Sequence, residues 1–171
     1  MPLKIHQDGA EHPDNTVAHA LFHAPFCCCS HDGSDVFNYG NKAALALWEL
    51  EWDEFVGMKS IQSADVEDAA VQAERRALLD QSADKGVVTN YSGVRMSSSR
   101  SQFRIEGATV WTVCQTMESG GGQVAMFDRV VRLNEDGSDD QTMVVDSDGN
   151  WATVVPQSMG IQDGKKYRGP V

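Results

Sequence analysis

The sequence predicts an α+β fold: two short strands, a helical segment, then three longer antiparallel strands, with the helices on one face of the sheet. Three observations carry this expectation. Residues 102–113 alternate with the period of a strand. Strong helix formers fill 42–50, and a 3.6-residue period follows from Ser63. Turn-forming clusters punctuate the strands at His31-Asp32-Gly33-Ser34-Asp35 and Ser97-Ser98-Ser99-Arg100-Ser101.

The elements follow in order. Residues 1 to 20 are polar and read as a flexible amino-terminal segment. Ala24-Pro25-Phe26-Cys27-Cys28-Cys29-Ser30 is apolar, since a free thiol behaves as a small hydrophobe, and reads as a buried strand. Val36-Phe37-Asn38-Tyr39 pairs with it as a hairpin. Asn41 can cap a helix over Lys42 to Leu50, apolar almost all round and therefore buried. Glu51 to Val56 is a further turn, and Gly57 stands where a left-handed cap belongs. A longer helix opens at Ser63, with Val66, Ala70, Ala73 and Ala77 on one face. Asp65, Glu67 and Asp68 at its start and Arg75 and Arg76 further on complement the helix dipole, and Gly86 ends it. Val87 to Met96 is a strand. In the next strand, Gln102 to Val113, the side chains of Phe103, Ile105, Thr109, Trp111 and Val113 are expected on one face, and Arg104 and Glu106 on the other. Gln115 to Gly122 is a glycine-rich loop and Gln123 to Leu133 the last strand of this unit. Asn134 to Gln141 carries four acids and reads as a solvated linker. Thr142 to Val145 and Trp151 to Val155 flank Asp148-Gly149 as a hairpin, before a polar tail.

Composition narrows the function classes. The 171 residues suit one domain with an appendage. A net charge of -11 repels phosphate backbones and argues against direct nucleic-acid binding. No apolar run approaches a membrane span, and the amino terminus has no apolar signal-like region, so a cytoplasmic protein is expected, with the nucleus as the alternative. Cys27, Cys28 and Cys29 are consecutive and cannot bridge one another as an ordinary strand. They read as core thiols, with a redox switch as the alternative. No zinc spacing, phosphate loop, dinucleotide fingerprint or nucleophile elbow occurs, and carboxylates lie scattered in solvated runs.

One set of motifs resembles a known family. Val36-Phe37-Asn38-Tyr39-Gly40-Asn41-Lys42-Ala43-Ala44-Leu45 followed by Trp52-Asp53-Glu54-Phe55-Val56-Gly57 resembles the opening of a PAS domain. Ala24-Pro25-Phe26, Ser30-His31, Ser63-Ala64, Tyr91-Ser92-Gly93-Val94-Arg95, Phe103-Arg104-Ile105-Glu106, Val110-Trp111 and Gly122-Gln123-Val124-Ala125-Met126-Phe127 are similar to the MEKHLA domain, a PAS-like family. The resemblance spans about residues 21 to 130. It implies a five-stranded antiparallel sheet of order 2-1-5-4-3 packed against short helices, with a carboxyl-terminal extension. The implied domain runs from 21 to 133, and 134 to 171 form the acidic linker, hairpin and tail. The resemblance also implies a sensory or dimerisation-regulating module, with no established ligand. Where the family tends to have Pro-Ser-Arg after Met58, this chain has Lys59-Ser60-Ile61.

A PAS-like sheet curves around a cavity. The candidate lining is Trp48, Tyr91, Arg95, Phe103, Ile105, Glu106, Trp111 and Met126; Arg95 and Glu106 either pair across the sheet or hold a polar ligand. His19 and His23 have helical i, i+4 spacing without a third metal ligand, and His31 reads as a structural or solvent-facing group. Asp146-Ser147-Asp148-Gly149-Asn150 holds only half of a calcium loop. No flavin-adduct motif and no haem-ligand set is seen, so the sequence names no cofactor. The leading reading is a module that binds a small molecule or self-associates as a homodimer and signals to a partner. The alternatives are an enzyme using the same cavity and a purely structural dimerisation domain.

Overall fold

The computed structural model describes residues 16–64, 68–113 and 121–155. In order they form α1 (Thr16–Phe22), β1 (Cys27–His31), β2 (Phe37–Gly40), α2 (Lys42–Trp48), α3 (Trp52–Phe55) and a 3-10 turn at Ser60–Ser63. Then come α4 (Ala69–Lys85), β3 (Val87–Met96), β4 (Gln102–Thr112), β5 (Gln123–Phe127), β6 (Arg129–Leu133), β7 (Asp139–Val145) and β8 (Trp151–Thr153). The expected flexible segment therefore gives way to helix at Thr16; its first 15 residues lie outside the described part.

The sheet is antiparallel. β1 pairs with β2 and β5, β5 pairs with β4, and β4 pairs with β3, so the expected succession 2-1-5-4-3 is present, but within a sheet of eight strands rather than the five expected. Two details differ from expectation. The strand expected over 123–133 is interrupted at Asp128, so that β5 and β6 lie end to end along β4 in one register, with Thr109 opposite Met126 and Glu106 opposite Arg129. And β6 pairs with β7, and β7 with β8, so the sheet runs on across the boundary expected at residue 133. The expected acidic linker is in part a turn and in part β7. Its acids remain exposed, but the backbone finds its hydrogen bonds on the free edge of β6. The apolar end of this hairpin packs home. Val145 is buried in the core, and the Trp151 indole N–H donates to the Ala43 carbonyl at 2.8 Å beside Phe127.

Asn41 ties the amino-terminal half together. It is fully buried, and its Oδ1 accepts from Ala44 N–H (3.1 Å), capping α2, and from Cys28 N–H (3.0 Å) in β1. Its Nδ2 donates to the carbonyls of Phe26 (2.7 Å) and Leu21 (3.3 Å). α2 ends earlier than expected, at Trp48, because Glu49 takes a left-handed conformation and its N–H returns to the Leu45 carbonyl. Around Trp48 the core is aromatic: Phe37 stacks on Phe55 at 4.4 Å, and Trp48 meets Phe103 edge-on at 5.6 Å.

Two local events reverse faces relative to the sequence reading. α4 starts at Ala69, capped by Asp68, whose carboxylate accepts from Ala70 and Val71 N–H. Its inward stripe is Val71, Arg75, Leu78 and Ser82, while Ala70, Ala73 and Ala77 are exposed. The few large aliphatics decide the face, since burying Leu78 gains more than burying an alanine methyl. Val66 lies outside the described residues. In β4, Gly107 takes φ +67, a left-handed value that shifts the alternation by one residue. Phe103 and Ile105 face inward before it, and Ala108 and Val110 after it. Thr109 and Trp111 are thereby carried to the outer face, opposite to the expectation.

Candidate ligand cavity

Between the inner face of the sheet, the 3-10 turn and α4 lies a cavity of about 60 Å³. Its apolar lining includes Phe37, Trp48, Leu78, Ile105, Val110 and Phe127, and its polar lining includes His31, Ser60, Arg75, Tyr91, Arg95 and Gln123. A wider cleft of about 270 Å³ adjoins it, formed by residues of the 31–35 turn, α4, Gly121 and Gln123; His31, Arg75, Leu79 and Gln123 line both.

Each polar group is placed by its own element. Arg75 is buried on the inner stripe of α4. Its guanidinium donates to the Asp35 carboxylate at 2.5 Å and also to the Ser60 hydroxyl, which itself donates to Asp35 at 2.5 Å. Burial pulls the Arg75 pKa down and Asp35 opposes that shift. Arg95, only 7% exposed, extends from β3 opposite Phe103. It donates to its neighbour's carbonyl, Val94 O (2.7 Å), and to Tyr91 Oη (3.1 Å), and it lies 5.7 Å from the Tyr91 ring centre. Tyr91 has its phenol pKa raised by burial. His31 and Gln123 are directly paired across β1 and β5. The Gln123 Nε2 donates to the Leu79 carbonyl of α4 at 2.9 Å, while its Oε1 and the Nε2 of His31 are buried without a partner among the described residues.

Of the residues expected to line a pocket, Trp48, Tyr91, Arg95 and Ile105 do so. The others do not. Phe103 is sealed in the core against Trp48, and Trp111 and Met126 lie on the outer face with Val124 and Thr109 as their cross-strand partners. Glu106 does not meet Arg95 at all: it binds Arg129 (2.8 Å) and Arg104 (3.2 Å) on the outer face, where Arg104 also forks onto Asp139. The odd number of residues from Arg95's opposite partner, Phe103, to Glu106 puts the two charges on different faces.

Arg75, His31 and Gln123 were not expected at the site. The spacing of Val71, Arg75, Leu78 and Ser82 carried a signal for Arg75, but an arginine within a helix reads first as a dipole complement. A lone polar residue at the start of an apolar strand gave little signal for Gln123. The three adjacent thiols take the core role. Burial raises the Cys28 pKa to about 11 and that of Cys29 to about 12, and pushes Cys27 up as well. Cys114 and most of the loop expected at 115–122 lie outside the described residues. The rings of His19, on α1, and His23, just beyond it, meet at a tilt with their centres 4.5 Å apart.

This arrangement of sheet and short helices around a cavity is that of a PAS-type domain. A PAS domain from Colwellia psychrerythraea superimposes with a TM-score of 0.56 at 11% identity, covering 67% of this chain and 95% of that one. The Rhodobacter sphaeroides LOV protein gives 0.52 at 13% identity, covering 74% and 71%. A PAS domain from a two-component sensor histidine kinase gives 0.50 at 20% identity, covering 70% and 96%. At these identities the likeness is one of fold. The MEKHLA domain matches residues 4–131, and the chain belongs to that family. No curated protein matches it. The thiol that lines the cavity, Cys29, is on a strand and held protonated by burial. Among the described residues no helix is long and apolar enough to cross a membrane.

Proposed function

We propose that this protein is a sensory module in which the cavity binds a small molecule and α4 carries the response outward. The observation that supports it most is the pair of buried, unpartnered acceptors, His31 Nε2 and Gln123 Oε1, in the lining of an otherwise apolar cavity. Buried polar atoms left unsatisfied cost about 1–3 kcal/mol each, so a core that keeps two of them together is built to have them met by something else. Gln123 offers a route for the response. This one side chain lines the cavity and holds the α4 backbone with its nitrogen, so a ligand that repositions it alters the hold on Leu79. The response then passes to a partner or to self-association, and the module acts without catalysing a reaction.

Native mass spectrometry of the purified protein, compared with its denatured mass, tests the reading. A bound small molecule, or a compound that raises the melting temperature and protects α4 from hydrogen exchange, supports it. If the protein carries nothing and no compound of a metabolite library shifts its melting, the cavity is a packing defect and the sensory reading falls.

A further inference from the structure

We propose that the cavity takes a small carboxylic acid that also bears a hydroxyl group, with its carboxylate on Arg95 and its hydroxyl on the acceptor pair of Gln123 and His31. The proposal rests on the cavity being the ligand site and adds the chemistry of the ligand.

Arg95 supplies the first half. The hydrogen bonds of its guanidinium run to two neutral oxygens, and among the described residues no carboxylate lies within ion-pair distance of it; Glu74 of α4 acts on the neighbouring Tyr91 but stands outside that distance. A buried cation without a counter-ion is costly, and a planar carboxylate matches its fork of donors. Asp35, which lines the adjoining cleft, is taken up by Arg75 and Ser60. Asp32 accepts from Ser34 and Val36 N–H. Of the charges on the cleft wall, Arg76 and Asp80 remain, both exposed.

The second half comes from two acceptors. The Nδ1 of His31 lies 2.8 Å from the Asp32 carbonyl, which can only accept, so Nδ1 carries the proton and Nε2 of the neutral ring presents a lone pair. The Gln123 amide is oriented by its bond from Nε2 to Leu79, which leaves Oε1 as the buried atom of this lining residue with no partner among the described residues. One molecule that satisfies both halves brings an anion at one end and an O–H donor at the other. The inner cavity by itself holds only a few non-hydrogen atoms, about 60 Å³ against the ~150 Å³ that admits benzene, and the wider cleft adjoins it at His31 and Gln123.

The test uses the full chain, exchanged into carboxylate-free buffer and titrated by calorimetry with glycolate, acetate and glycolamide. Glycolate is expected to bind about tenfold or more tighter than acetate, which lacks the hydroxyl, and than glycolamide, which lacks the charge. Arg95→Gln should remove the preference of glycolate over glycolamide. Gln123→Leu should remove its preference over acetate. If Arg95→Gln does not fold, Arg95→Lys together with Gln123→Leu carries the test, because lysine keeps the charge and loses the fork. Acetate binding as well as glycolate, or a preference for glycolate that survives both Arg95 and Gln123 substitution, overturns the assignment. If glycolamide binds and the two carboxylates do not, the ligand site stands and the chemical class falls. If no probe binds and native mass spectrometry releases nothing, both readings fall, and ordered water satisfies the acceptors.

Discussion

At the residue scale the structure separates side chains that the sequence cannot rank. Asn41 reads as a helix cap from sequence, but its four hydrogen bonds tie α1, β1 and α2 together at a fully buried point. Asn41→Ala is expected to destabilise by about 3 kcal/mol in urea unfolding, since several buried backbone groups lose their partner at once. Asn41→Asp should be no milder, because it forfeits the donors to Phe26 and Leu21 and buries a charge. The tryptophans divide in the same way. Trp48, 2% exposed at the centre of the aromatic cluster, should cost about 3–5 kcal/mol on truncation to alanine, and the half-buried Trp111 about 1–2. Equal effects would place Trp111 in the core after all. The cysteine run was legible as core because three thiols in an apolar strand have nowhere else to go. With burial holding them protonated, Cys27, Cys28 and Cys29 should react with a thiol reagent only as fast as the protein unfolds.

At the scale of elements, the strands were legible and their faces were not. Alternation predicts a strand over 102–113 correctly, and a single positive φ at Gly107 then inverts which residues it buries. No side chain would clash with a Cβ there, so Gly107→Ala tests the backbone alone; it should cost about 1–2 kcal/mol through left-handed strain. The carboxyl hairpin is a second case. Its acidic approach suggests a separable appendage, whereas β7 pairs along β6 and Trp151 reaches α2. We expect truncation after Leu133 to lower the melting temperature and to promote association through the uncovered β6 edge, read by thermal melt and sedimentation. A truncated chain as stable as the whole would restore the boundary at 133. The outer face adds a pH dependence. Hydrogen bonds from Arg129 hold the Glu106 carboxyl below its ordinary 4.5, and those from Arg104 hold Asp139 below 3.8. Depressed folded-state values mean that this stabilisation is present above the ordinary pKa and is lost as pH falls through the lowered one. Acid titration of the melting temperature should therefore show a drop in that range, smaller in Glu106→Gln.

For the whole molecule, the sensory reading predicts where a bound ligand is felt. Amide exchange should slow in α4 and β5, which meet at Gln123 and Leu79, more than in α1 or β8, and uniform slowing would argue against a route through α4. The sequence by itself determined the α+β class and the family. Those follow from local periodicity, capping residues and the order of short motifs, which are readable wherever they occur along the chain. Of the eight lining candidates it offered, Trp48, Tyr91, Arg95 and Ile105 line the cavity. Only the tertiary structure decided that Arg75 turns inward with Leu78, that Glu106 turns outward, and that His31 and Gln123 meet across β1 and β5 with an acceptor each unpartnered. The physical reason is that a face is a relation between distant elements. One glycine dihedral or the rotation of one helix reassigns it, at a local cost far smaller than the burial energy that the packed core returns.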